Sequence, residues 1–116
     1  MPEPSILSRL MEVIHRRKAD RPRDSYTTQL LNGGIERIGA KVVEEAKEVV
    51  EAAGQAPEAS SGDVIHEAAD LVYHLLVLLA YCDRDLSDLE AELARRFGVC
   101  GLEEKAARGR AGTGGS

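Results

Sequence analysis

Apolar residues recur at helical spacing along most of this chain. Ile6, Leu7, Leu10, Val13 and Ile14 form one stripe, which predicts a first helix over residues 4–18. Pro22 interrupts the basic stretch that follows, and Ser25 has the chemistry to cap a short helix over Tyr26–Leu31 that Gly33 and Gly34 would end. A third helix is expected from Ile35 to Ala53, with Ile35, Ile38, Val42, Ala46, Val49 and Ala53 as its buried stripe. Gly54 to Gly62 reads as a connection, and a fourth helix should run from Asp63 to Cys82. The second half of that helix, LVYHLLVLLAYC, is apolar nearly all round, so a small monomer could not hide it and a subunit interface is expected. Ser87 and Glu90 have capping-box spacing for a last helix ending near Phe97 and Gly98. No strand pattern or repeat interrupts the series. The fold class predicted is all-α, an antiparallel bundle of about five helices completed by oligomerisation.

Bulk composition narrows the class. The 116 residues make one domain, and aromatics are only 3% with no Trp, so Leu, Val, Ile and Ala must build the core. The net charge of −5 excludes a general nucleic-acid binder, which needs a surplus of Lys and Arg. Cys82 and Cys100 form no disulfide framework and no metal pair, and read as free thiols. The N-terminus mixes Glu3, Arg9 and Glu12 into its apolar residues, unlike a signal peptide. The run Leu71–Cys82 spans about 18 Å, too short for a bilayer core of about 30 Å, and the cytoplasm is the expected location. A domain over residues 1–101 with a flexible tail over 102–116 is the expected organisation.

Two acidic pairs carry the chemistry. Glu45 with Glu48, and Glu67 with Asp70, each have i,i+3 spacing, which points both carboxylates of a pair the same way on a helix. Counted from the expected helix ends, Glu48 and Glu67 each lie about 7.5 Å from the connection, and Glu45 and Asp70 about 12 Å. An antiparallel hairpin therefore sets Glu48 opposite Glu67 and Glu45 opposite Asp70. Any one of these acids could be a solvated charge, balanced by Lys41 or Lys47. As a group they fit that reading less well: Asp63, Glu67, Asp70 and His74 make a polar stripe running into the most apolar helix, which is unfavourable unless paired or metal-bound. Oxygen ligands of this kind suit Mg²⁺, which often accompanies phosphate substrates.

Other candidates remain open between function and structure. His74 could neighbour the metal, contact phosphate, or be a satisfied core histidine. Lys41 could meet a substrate phosphate or only balance Glu44 and Glu45. Arg16, Arg17, Lys18, Arg21 and Arg23 put five positive charges in eight residues, suited to a polyphosphate or phosphoribosyl group or to a solvated loop. Nucleophilic catalysis has no support, since neither cysteine has an evident base, and no GxxxxGK[ST] loop is present.

The run EEAKE followed by EAAD resembles the ExxE…ExxD metal signature of the all-α nucleoside triphosphate pyrophosphohydrolases, the MazG-like superfamily. The flanks SYTTQLLNGGIERIGAKVVEEAKEVVEAA and HEAADLVYHLLVLLAYCDRDLSDLEAELARRFG narrow the likeness to the phosphoribosyl-ATP pyrophosphatase family of histidine biosynthesis, over about residues 5–98. The resemblance implies Mg²⁺-dependent hydrolysis of the α–β phosphoanhydride of phosphoribosyl-ATP by a homodimer or larger oligomer. It implies Glu45, Glu48, Glu67 and Asp70 as metal ligands, with Glu44, Glu45 and Glu48 as the catalytic carboxylates and Glu44 as a further ligand or the base that orients water. Lys41, Arg17, Lys18, Ser25, Tyr26 and His74 are the corresponding candidates for substrate binding. A housecleaning pyrophosphohydrolase acting on dUTP, dCTP or damaged nucleotides would share the carboxylates, and a non-catalytic oligomerisation module would need none of them.

Overall fold

The computed structural model describes residues 3–55 and 57–98, the side chains of residues 57–62 excepted, so the expected tail and Cys100 lie outside the described residues. All regular structure within them is helical. Helix α1 covers Ile6–Asp20, with the Ser5 side chain accepting from the Ser8 amide at 3.1 Å. It ends at Arg21 in the left-handed region (φ 50°), whose N–H donates to the Arg17 carbonyl at 2.7 Å, a C-cap that precedes Pro22.

Helix α2 covers Tyr26–Ala53, and Ser25 caps it by accepting from the Thr28 amide at 3.2 Å. Two of the expected five helices are here a single element. Gly34 alone leaves helical geometry (φ 71°, ψ −165°), and the chain resumes its helix at once. This conformation is one that L side chains rarely adopt, and the Tyr81 hydroxyl lies 3.5 Å from where a Cβ would sit. A glycine therefore makes the kink but does not end the helix. Among the described residues the count is four helices, not five.

Helix α3 covers Pro57–Tyr81 and begins six residues before the expected Asp63. Proline at the first helical position has its φ already set and no N–H to satisfy, which outweighs the poor helix formers behind it. The connection is accordingly shorter than Gly54–Gly62. Helices α2 and α3 run antiparallel: Glu48 meets Glu67, Glu45 faces Asp70, and Gly34 lies against Tyr81, in equal and opposite steps along the two helices. The core of this unit is Met11, Ile14, Leu30, Leu31, Ile38, Leu76, Val77 and Ala80. The buried face of α2 follows the expected apolar stripe only in part: Ile38 is buried and Val42, Ala46 and Val49 are half-buried. Ile35 is 52% exposed, whereas Ile38, Glu45 and Ala52 are buried at seven-residue intervals, so an acid occupies the middle of the packed face.

By length and a mean hydropathy of 1.4, Asp63–Tyr81 could cross a membrane, although the run Leu71–Cys82 alone is too short. Only 22% of that segment is buried. Ile65, Val72, Leu75 and Tyr81 all stay exposed. The chain divides after Asp85 into a second compact unit. There α4 covers Leu86–Arg96, and Arg95 and Arg96 in its last turn pair with Glu92 at 2.5 and 2.7 Å.

Candidate active site

The acids gather where the middle of α2 meets the middle of α3. Carboxylate oxygens of Glu45, Glu48 and Glu67 all lie within 4.8 Å of one another, and atoms of His66, Glu67 and Asp70 form a second such group. Glu67 belongs to both. Glu45 is only 5% exposed, and one oxygen each of Glu45 and Glu67 is buried without a hydrogen-bond donor. A buried carboxylate oxygen with no donor costs free energy that a shared proton or a cation must recover.

Hydrogen bonds among the acids themselves offset part of that cost. The Glu67 carboxyl is pushed up to about 7, first by its hydrogen bond to Glu48, then by burial and by the charges of Glu48 and Glu45. Burial raises Glu45 as well, helped by its hydrogen bond to Glu48 and by the nearby Asp70 charge. Glu48 goes the other way: the hydrogen bonds it receives from Glu67 and Glu45 hold it below the usual carboxylate range. Glu48 is therefore the acid of the group that ionises most readily, and Glu45 and Glu67 are the two that keep a proton longer as pH rises. A set of oxygen ligands that is too negative for its own burial fits a hard divalent cation such as Mg²⁺.

Lys41 sits one turn before Glu45 and reaches Glu44 at 2.6 Å and Glu45 at 3.6 Å. Glu44 is exposed and lies outside both groups of clustered ligand atoms. His66 was missed by the sequence reasoning. Its Nε2 lies 3.5 Å from Asp70, and its i,i+4 spacing to that acid is the signal that could have found it.

Comparison with known proteins fixes the family. The phosphoribosyl-ATP pyrophosphohydrolase family model matches residues 7–97. The chain belongs to the phosphoribosyl-ATP pyrophosphohydrolase family. It is similar to the phosphoribosyl-ATP pyrophosphatase of Rhodopirellula baltica, 51% identical over 93% of this chain and 91% of that one. The Paracoccus denitrificans protein of the same description is 49% identical over 92% of this chain and 96% of its own, and the Nitrosospira multiformis one 45% over 93% and 87%.

Within this pyrophosphohydrolase chain the remaining candidates separate by what already occupies them. His74 is 4% exposed; its Nδ1 donates to the Asp70 carbonyl at 2.8 Å and its Nε2 lies 3.0 Å from the Tyr26 hydroxyl. A carbonyl can only accept, so Nδ1 carries the proton and, in the neutral ring, Nε2 accepts from Tyr26. Both ring nitrogens are thus engaged within the fold. Tyr26 also stacks on Tyr73 with ring centroids 6.2 Å apart, and the Tyr73 hydroxyl bonds Thr27. The Ser25 hydroxyl is engaged as the α2 cap. Lys18 donates to the Ala80 carbonyl at 2.7 Å and pairs with Asp83, which ties α1 to the end of α3. Arg21 donates to the Asn32 side chain at 2.7 Å. Arg17 instead faces an open cleft beside Ser25 and Tyr26.

Proposed function

We propose that this chain hydrolyses the α–β phosphoanhydride of phosphoribosyl-ATP with Mg²⁺, giving phosphoribosyl-AMP and pyrophosphate. One observation carries the reading: buried, donor-less oxygens of Glu45 and Glu67 converge with Glu48, in a chain of this family. Glu45, Glu48, Glu67 and Asp70 would hold the ion. When bound, Mg²⁺ supplies positive charge that neutralises phosphate oxygens and lowers the pKa of a water. Glu48 anchors the site because it is already ionised, and Lys41 places a second positive charge beside Glu45 for the phosphate chain. Glu44, turned to solvent, is the carboxylate we assign to orienting the attacking water. Such a site works by positioning and electrostatics, not through a covalent intermediate. The substrate is a polyanion that does not cross membranes unaided, so the enzyme works where that substrate is made, and we assign it to the cytoplasm.

Pyrophosphate release is the direct assay. The purified chain should release pyrophosphate from phosphoribosyl-ATP and rescue a histidine auxotroph lacking this step. Turnover of dUTP or dCTP with phosphoribosyl-ATP untouched would overturn the substrate assignment.

We also propose that the chain works as a homodimer or larger oligomer. Val43 and Val50 on α2 are 70% and 71% exposed and Ile65 on α3 is 69% exposed, apolar surface that a second copy would cover. Light scattering should give at least twice the chain mass. A monomer at assay concentration would defeat the idea.

A further inference from the structure

The positive charges at the end of α1 and just beyond it are not equivalent once folded. Lys18 and Arg21 spend their donors on Ala80, Asp83 and Asn32. The half-buried Arg17 pairs with no carboxylate of the described residues, although the chain carries a net charge of −5. It lines a cleft of about 590 Å³ together with Val13, Pro22, Asp24 and Tyr26. Tyr26 joins this cleft to the acids. Its ring forms the cleft wall while its hydroxyl meets His74, and His74 holds the Asp70 carbonyl. Asp70 and His74 are one helical turn apart, about 6 Å of rise. The cleft is therefore tied to the acid-bearing stretch of α3 through the buried His74.

We propose that this cleft binds the phosphoribosyl arm of the substrate, the part that ordinary nucleoside triphosphates lack. The inference rests on the phosphoribosyl-ATP reading given above. Arg17 can form a bidentate pair with the terminal phosphate monoester of the arm, as guanidinium groups do. The Asp24 carboxylate offers acceptors to the ribose hydroxyls, and Val13 and Pro22 give the sugar ring an apolar bed. The volume suits an occupant of this size, within the range of small-molecule sites. Selectivity would then reside away from the reacting phosphates: the acids take any pyrophosphate ester, and Arg17 recognises the arm.

Calorimetric titration of the full chain with phosphoribosyl-AMP and with AMP isolates the arm, because the two differ only in that group. The wild type should bind phosphoribosyl-AMP at least roughly tenfold more tightly, the scale of one charge-assisted pair. Arg17→Gln should erase this advantage, and Arg17→Lys should keep part of it. Retained Mg²⁺-induced thermal stabilisation in both variants shows that they are folded. An advantage that survives Arg17→Gln, or none in the wild type, overturns the inference. Pyrophosphate release from phosphoribosyl-ATP by the wild type is measured beside it. Failure of that release alone overturns the activity and leaves the cleft to be judged on the product titration.

Discussion

Glu48→Gln should remove Mg²⁺ binding and cut pyrophosphate release from phosphoribosyl-ATP by about a hundred- to a thousandfold, the loss seen when one electrostatic contact to a transition state is deleted. Glu48 is singled out by its place in the cluster. It accepts hydrogen bonds from both Glu45 and Glu67, and these hold it below the usual carboxylate range while both neighbours are raised. Glutamine keeps the shape and removes the charge that a cation needs. Its amide N–H groups can also donate to the donor-less oxygens of Glu45 and Glu67. The variant should accordingly melt no lower than the metal-free wild type. Glu51, one turn further on and exposed, supplies the control: Glu51→Gln should change neither quantity. Calorimetric Mg²⁺ titration with a pyrophosphate assay reads the outcome. Undiminished Mg²⁺ affinity in Glu48→Gln would remove the carboxylate cluster as the metal site.

That residue was legible in the sequence for a geometric reason. Helical rise is constant, so once Glu48 meets Glu67 the opposition of Glu45 to Asp70 follows from spacing. The starting register did not, because α3 begins at Pro57 and sets Glu67 deeper in its helix than the count assumed. Element boundaries were harder. Gly33 and Gly34 report a local conformational preference, and nothing local says that the helix resumes at Ile35. The buried face of α2 was partly misplaced because a hydrophobic stripe cannot announce that its centre is an acid. Glu45 is buried by tertiary packing against α3, which a hydrophobic pattern does not register. The basic stretch shows the limit most plainly. Arg17 and Lys18 are adjacent and equally charged, yet Lys18 is tied to Asp83 and Arg17 is not. Only contacts between residues far apart in the chain separate them, and periodicity carries no information about those.

Thermal stabilisation by Mg²⁺ should grow from pH 5.5 to about pH 7 and then level off. In the folded, metal-free chain the Glu67 carboxyl titrates near 7, above its unfolded value of 4.5, and Glu45 is raised as well. The folded state therefore binds more protons than the unfolded state between those limits, so the cluster's contribution to stability is present below the unfolded value and is lost as pH rises through about 7. Mg²⁺ takes the deprotonated ligands, so it must displace those protons wherever they are bound. Below 7 its apparent affinity should fall by about tenfold per pH unit for each proton displaced. Above 7 the ion meets a Glu67 that is already charged and repelled by Glu48, and the gain is largest. At a hundredfold excess over Kd the stabilisation is about 2.7 kcal/mol, roughly 10 °C in Tm for a domain of this size. Scanning Tm with Mg²⁺ and with EDTA across this range measures the difference directly. A Mg²⁺-induced shift that stays flat from pH 5.5 to 8 would mean that the ion binds somewhere other than the carboxylates that share these protons.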